Sequence, residues 1–299
     1  MLTLCFSLNG LNLQWCDQMS GTETADLFVG FTEPLLPFSY LAVLTLVVLP
    51  VAAFLGFRVG QIAHRRNQNN KGQPEQAPGA TSLGAMLALL GLLLGFAFSS
   101  ALGWREERQG ALVREAAAIS TAFLTANLVD EPGRTVLQSQ ILAYARTRIA
   151  NPADIRTKTA WNAFLERTFE SQTKIWPATM QAIGGATSDP IRAAVVRSVT
   201  DMLDAHTLRL AAAAEQIPPP AKLMIFLASV VAIFVVGNRT ALQGRELTWH
   251  VFAFAGLLSV VMIVIFDLDR ALEGSMRVNP DTLIATIREM ETALGNAAD

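Results

Sequence analysis

The sequence predicts an all-α, multi-pass membrane protein with four transmembrane helices and an inserted extramembrane helical bundle. Its 299 residues are 52% hydrophobic and only 16% charged, whereas soluble domains carry about 25% charged residues. The apolar residues are concentrated in four long segments. Between the second and third segments, apolar residues recur with the period of a helix, and almost no alternating strand pattern occurs.

Three of the apolar segments are long enough to cross a bilayer, which takes about 20 residues of helix. They are residues 37–57, 80–102 and 247–266, and none contains Lys, Arg, Asp or Glu. The fourth segment, 223–237, is shorter and follows Lys222. Either the Lys222 side chain reaches the headgroups and lengthens the span, or the segment is a re-entrant or buried core helix.

Small residues recur every four positions in the second segment, at Gly91, Gly95, Ser99 and Gly103. Residues four apart share one face of a helix. A face of small residues lets another helix approach closely, which matters in lipid because no hydrophobic effect drives helices together there. The pattern therefore predicts helix packing, with the partner in the same chain or in a neighbouring subunit. The alternative is that glycine is simply frequent in membrane helices.

Basic residues near helix ends predict the orientation. No Lys or Arg precedes the first segment, whereas four basic residues follow it: Arg58, Arg65, Arg66 and Lys71. The N-terminus is therefore predicted outside the cell, with residues 61–79 as a flexible polar loop in the cytoplasm. Arginines between 103 and 114 oppose this assignment.

The predicted domains follow from the four segments. They are a disordered N-terminal segment (1–36), two transmembrane helices with a polar loop (37–102), a helical extramembrane domain (103–222), two further transmembrane helices (223–266) and a tail with an amphipathic helix (267–299). Met19 is an alternative start to Met1, in which case Cys5 and Cys16 fall outside the protein. These two cysteines cannot form a disulfide framework or a zinc site by themselves.

The extramembrane domain is predicted to contain four amphipathic helices. The first continues from the second membrane segment without a break until residues 130–133, Asp-Glu-Pro-Gly. The third places Trp161, Leu165, Phe169 and Trp176 on one side, and Pro177 bends or ends it. The fourth helix places Ile191, Val195, Val199, Met202 and His206 on one face. Four such stripes are typical of a bundle, buried within one chain or between subunits.

No enzyme or cofactor signature occurs in the sequence. A phosphate loop, a nucleophile elbow and an HExxH motif are all lacking, so we predict neither catalysis nor a cofactor or metal. A net charge of −2 gives no basic surface for nucleic acid. Of the three histidines, His206 is interpreted as a packed core residue and His250, beside Trp249, as an interfacial anchor.

Two polar groups are candidate functional residues. Asp267, Asp269 and Arg270 directly follow the fourth membrane segment. Three interpretations are open for them. They are a charged stop that fixes the depth of the helix, with an exposed Asp267–Arg270 pair, a ring of carboxylates at the mouth of an oligomeric pore, or a cation site. Glu115 lies in an alanine-rich stretch. It is either part of a solvated helix face or a buried carboxylate that requires a partner.

The order of several residues carries a resemblance to a known family. They are Arg65-Arg66, the glycine-rich stretch ending at Ser99, Arg114 to Ala116, Tyr144, Arg148, Trp176, Asp204, Arg209, Ile217-Pro218, and Asp267 to Arg270 with Gly274. Over roughly residues 35–291 the chain resembles the bestrophin-like domain family of bacterial membrane proteins. The resemblance therefore implies that the membrane is a bacterial inner membrane. Ala271 stands where that family often has proline. The resemblance implies kinship with anion channels that assemble as symmetric pentamers and hold their helical domain in the cytosol, opposite to the orientation that the charges indicate.

Two functions remain as hypotheses. The first is a homo-oligomeric bestrophin-like channel, whose partners are the lipid bilayer and further copies of the chain. The second is a membrane-anchored helical interaction or sensory module without transport activity.

Overall fold

The computed structural model describes residues 38–69, 79–150, 158–184, 187–270 and 278–298. Regular structure in these ranges is helical, without strands. The described ranges contain eight α-helices, which are α1 (Phe38–Asn69), α2 (Ala80–Thr125), α3 (Gly133–Thr147), α4 (Lys158–Ala182), α5 (Asp189–Ala214), α6 (Pro219–Leu242), α7 (Trp249–Asp269) and α8 (Asp281–Ala298). The predicted all-α class is confirmed. The predicted N-terminal segment 1–36, Met1, Met19 and Gly274 lie outside the described residues.

Among the described residues, four stretches of helix are long and apolar enough to cross a membrane: Phe38–Arg66, Ala80–Leu128, Asp189–Leu242 and Trp249–Asp269. In the first three stretches, the most apolar run of 18 residues is only 28%, 22% and 28% buried within the protein. Most of their apolar side chains therefore face outward, as they do on helices surrounded by lipid. The prediction of four membrane segments is confirmed.

Two helices are longer than predicted. Helix α1 continues to Asn69, so the prediction of a loop from residue 61 is wrong for residues 61–69, which contain no glycine or proline to end the helix. Helix α6 begins at Pro219. Proline is tolerated there because the N–H groups of the first turn have no hydrogen-bond partner within the helix. Helix α6 extends the predicted segment 223–237 at both ends.

Pro177 lies inside helix α4, so the prediction that it ends the helix is wrong, and the predicted bend stays a prediction. The helix runs on to Ala182. Trp176 is 41% exposed, while Ile175 and Thr179 are buried, so Trp176 is not part of the buried stripe. The Trp161 side chain lies outside the described part of the structure.

One compact unit contains Pro34–Arg114 and Thr207–Pro280, and we call it the membrane unit. Helix α1 packs along α6 and α7. The core draws buried side chains from all four helices, including Leu49, Ala53, Leu90, Leu94, Ile233 and Met262.

A second compact unit contains Glu115–His206 and the last helix, and we call it the helical unit. Helix α3 packs against α4 and α8. Fully buried side chains in this unit include Ile119, Leu137, Ile141, Tyr144, Met202 and Leu283. The predicted boundaries at 1–36, 37–102, 103–222, 223–266 and 267–299 stay predictions.

Candidate functional site

The predicted packing face of α2 is uncovered by the described part of the chain. Gly91, Gly95, Ser99 and Gly103 are all exposed, and a Cβ added at any of the three glycines would meet no atom within 4 Å. The other side of the helix is buried through Leu90, Leu94, Ala97 and Ala101. No helix among the described residues covers this face, and the choice between a partner in the same chain and one in a neighbouring subunit stays a prediction.

Close helix packing occurs instead between α1 and α6. A Cβ at Gly56 would overlap the carbonyl oxygen of Phe234, and one at Gly237 would overlap that of Ala53. Gly60 lies one turn beyond Gly56, and a Cβ there would overlap the carbonyl oxygen of Asn238 in α6. Sequence reasoning missed this seam, although Gly56 and Gly60 have the four-residue spacing that signals close packing.

Glu115 is fully buried in the helical unit. Its Oε1 accepts a hydrogen bond of 2.7 Å from Arg148 Nε and one of 3.3 Å from the Tyr144 hydroxyl. The Nδ1 atom of His206 lies 3.7 Å from the same oxygen. Helices α2, α3 and α5 each place one or more of these side chains in the core of the unit.

The burial of Glu115 decides between its two interpretations. The solvated helix face is wrong, because Glu115 is 0% and Arg148 is 4% exposed. A buried carboxylate needs such a partner, since an unpaired charge away from water is very costly. His206 is buried, as its stripe predicted. No sequence signal pairs Glu115 with Arg148, which lies 33 residues away.

The residues that end α7 form a latch within the membrane unit. Arg108 donates to the carbonyl oxygens of Leu268 (3.1 Å) and Asp269 (2.7 Å), and also to that of Glu215 (2.7 Å). These bonds satisfy carbonyl groups that the end of a helix leaves without partners. Sequence reasoning considered Arg108 only as a topology signal.

The carboxylate of Asp269 belongs to the same latch. It accepts a 2.6 Å hydrogen bond from the backbone N–H of Ile217 and pairs with Lys222. The Lys222 ammonium group is therefore engaged by Asp269, and the idea that this side chain reaches the headgroups stays a prediction. The latch joins the end of α7 to the start of α6.

Asp267 and Arg270 are 3% and 8% exposed, so the prediction that they form an exposed pair is wrong. The Arg270 guanidinium lies 5.8 Å from the ring centroid of Phe38, within the range of a cation–π contact. Burial follows from the packing of the last turn of α7, which the sequence does not reveal. A role of Asp267, Asp269 and Arg270 at a pore mouth stays a prediction.

The remaining histidines are not gathered into a site. Within the described ranges no three His, Cys, Asp or Glu residues are placed to hold a metal ion. His64 Nδ1 lies 3.1 Å from the carbonyl oxygen of Leu242. His250 stacks on Trp249, which is 71% exposed, with ring centroids 4.1 Å apart.

Comparison with known proteins places the fold. Residues 47–283 match the model of the Bestrophin-like domain. A variant of a bacterial Bestrophin homolog from Klebsiella pneumoniae has a similar structure, with a TM-score of 0.62, 13% identity, and coverage of 84% of this chain and 99% of the homolog. A second variant gives a TM-score of 0.60 at 12% identity, covering 82% of this chain and 98% of the homolog. None of the curated proteins compared with the sequence matches it.

Proposed function

The chain belongs to the Bestrophin-like family, and from this membership we propose that it works as a channel built from several copies of the chain. The observation that carries the proposal is the uncovered face of α2. Gly91, Gly95 and Gly103 have open space beside them, although their spacing suits close contact with another helix. In the proposed assembly, the α2 helices of neighbouring copies occupy that space.

The shape of α2 supports a helix as the occupant. Phe96 and Phe98, which are 64% and 42% exposed, flank the line of small residues. We infer that bulky side chains on both sides of Gly95 and Ser99 leave a shallow groove along the helix. A groove of this kind lets a second backbone come close, which gives the van der Waals contact that holds helices together in lipid.

The candidate residues act in this proposal by positioning the helices. Asp269 and Arg108 tie the end of α7 to the start of α6. Asp267 and Arg270 are buried in the same turn, and Glu115 pairs with Arg148 in the helical unit. None of these charges needs to contact the permeating ion.

The experiment uses the full chain purified in mild detergent. Its mass is measured by light scattering, and its current is recorded in planar bilayers. We expect a multimer that conducts, and we expect Gly95→Leu to dissociate it, because the added side chain blocks close approach along α2. Gly256→Leu is the matched control, since Gly256 of α7 also has nothing within 4 Å of an added Cβ. A wild-type chain that is monomeric and passes no current contradicts the proposal.

The second candidate function is a membrane-anchored interaction module. It is favoured by exposed apolar side chains on the helical unit: Leu124, Leu128, Val136, Trp176 and Met180 are each at least 36% exposed. Exposed apolar residues of this size are typical of contact surfaces when they are contiguous. The same experiment separates the two functions, because a monomer without current favours the module.

We further propose a bacterial inner-membrane location with the N-terminus outside. The basic residues after α1, such as Arg65 and Arg66, support this orientation. Four spans place the C-terminus on the same side as the N-terminus. Alkaline phosphatase fused after residue 299 is therefore expected to be active outside the cytoplasm. If the phosphatase fusion is inactive and a fluorescent protein fused at the same position is fully fluorescent, the C-terminus lies in the cytoplasm and the proposed orientation is wrong.

A further inference from the structure

A polar pocket lies at one end of the membrane unit, away from the α7 latch. It is formed by the last turns of α1 and by the connection between α6 and α7, and its volume is about 370 Å³. Basic side chains line it from both elements: His64 and Arg65 come from α1, and Arg245 comes from the connection.

The connection is held against α1 by local contacts. His64 Nδ1 lies 3.1 Å from the Leu242 carbonyl oxygen. Because a carbonyl can only accept, the ring donates from Nδ1. Gly244 has a φ of +69°, a conformation that glycine adopts without strain. A Cβ there would lie 3.4 Å from Cε1 of His64, so the connection passes close to the imidazole ring.

The charges of the pocket favour an anion. Arg65 and Arg245 contribute two positive charges against the single carboxylate of Glu246. Phe57 and Leu247 add an apolar wall. The pocket therefore combines a cationic rim with an apolar surface, a combination that suits a phosphate group carried on an organic backbone.

The position of the pocket indicates where that phosphate comes from. Arg65 stands near the end of the first membrane-spanning stretch, Phe38–Arg66, and the ends of a span meet the headgroup region of a bilayer. Basic pockets at the ends of membrane helices bind anionic headgroups. We propose that this pocket binds the phosphate of an anionic phospholipid. Free inorganic phosphate has the same charged group and is the second source. This inference depends on the four membrane spans and not on channel activity.

The test measures lipid binding to the full-length protein in detergent by native mass spectrometry. Phosphatidylglycerol is the probe and phosphatidylcholine is its zwitterionic reference. In a separate arm, inorganic phosphate is compared with chloride at equal ionic strength by thermal shift. The variant Arg65→Gln/Arg245→Gln removes the cationic rim. The matched control, Arg58→Gln/Arg66→Gln, removes the same charge from exposed positions on α1 that do not line the pocket.

We expect phosphatidylglycerol to bind about thirtyfold more weakly to the pocket variant, because each arginine contributes about 1 kcal/mol near an anionic headgroup. The control variant should bind within about twofold of the wild type. Glu246→Gln should strengthen binding by about fivefold, since it removes the opposing charge.

Two outcomes support the site and identify the source. If phosphatidylglycerol binding is lost in the pocket variant but not in the control variant, the ligand is the lipid headgroup. The ligand is instead the free phosphate ion if inorganic phosphate stabilises the protein, the same variants abolish that effect, and phosphatidylglycerol is not preferred over phosphatidylcholine. Equal losses in the pocket and control variants overturn the proposal, as does a Glu246→Gln variant that binds no more tightly than the wild type.

Discussion

The membrane unit and the helical unit hold their helices together in different ways. In the membrane unit, Gly56 and Gly237 bring the backbones of α1 and α6 into contact. In the helical unit, a core of apolar side chains is buried together with an ion pair between Glu115 and Arg148. Lipid supplies no hydrophobic drive between helices, so close van der Waals contact is needed there. Amphipathic helices instead bury apolar stripes, and a charge buried with them must be paired.

The largest expected effect comes from breaking the buried pair. Arg148→Met should destabilise the helical unit by about 3–5 kcal/mol, because it leaves the Glu115 charge buried without its partner. Hydrogen exchange of the α3 amides measures the change within this unit. Arg146→Met is the matched control on the same helix. Its pair with Glu291 is 58% and 41% exposed, so the loss should stay below about 1 kcal/mol.

A double variant sharpens this prediction. Glu115→Gln/Arg148→Met removes both charges, so most of the lost stability should return. Equal losses in the Arg148 and Arg146 variants would mean that the buried pair is no more important than an exposed one.

The next effect tests the glycine seam. Gly237→Leu should destabilise the membrane unit by about 1–3 kcal/mol or more, because the side chain would overlap the backbone of α1 at Ala53. The measurement is the temperature at which the detergent-solubilised chain loses its monodisperse elution peak. Gly256→Leu adds the same side chain in open space and should leave that temperature unchanged. A similar drop in both variants would contradict a specific seam.

A smaller effect is expected at the α7 latch, where the membrane unit also contains a buried carboxylate. Asp269→Asn keeps an acceptor for the N–H of Ile217 but loses the ion pair with Lys222. Because the Lys222 side chain is 25% exposed, the cost should be about 1 kcal/mol. Asp269→Ala also removes the acceptor and should cost more. Thermal unfolding measures both variants, and equal stability of the two would exclude the backbone bond as a contributor.

The smallest effect concerns an exposed carboxylate in the helical unit. Hydrogen bonds from the Arg134 side chain, and then from Thr135, hold the pKa of Glu131 below its ordinary value of 4.5. A carboxyl with a lowered pKa in the folded state stabilises the fold above its unfolded pKa, and this contribution disappears as the pH falls through the folded pKa. Glu131→Gln should therefore be slightly less stable than the wild type at pH 7 and equal to it under acid conditions. Melting temperatures of both proteins across that pH range test this. A difference between them that grows as the pH falls would contradict the prediction.

Much of the fold could be predicted because its signals are local. Runs of uncharged apolar residues reveal each membrane helix, since about 20 of them are needed to cross a bilayer. The stripe from Val195 to His206 predicts the buried face of α5, and these residues are buried. Helix ends were harder, because residues 61–69 are polar but contain nothing that stops a helix.

The candidate site could be predicted only in part. The sequence singled out Glu115, Asp267, Asp269 and Arg270 as charges in unusual places, and all four are buried. It could not name their partners. Arg108 reaches Asp269 across 161 residues, and no spacing rule spans such a distance.

The sequence by itself determined that the chain is helical, crosses lipid and carries glycine at intervals that permit close packing. Only the tertiary structure decided which glycines are used. The seam at Gly56, Gly60 and Gly237 is closed by the chain itself, while the more regular line from Gly91 to Gly103 is left open. The physical reason is that spacing specifies a face of a helix, whereas the occupant of that face depends on every other helix that competes for it.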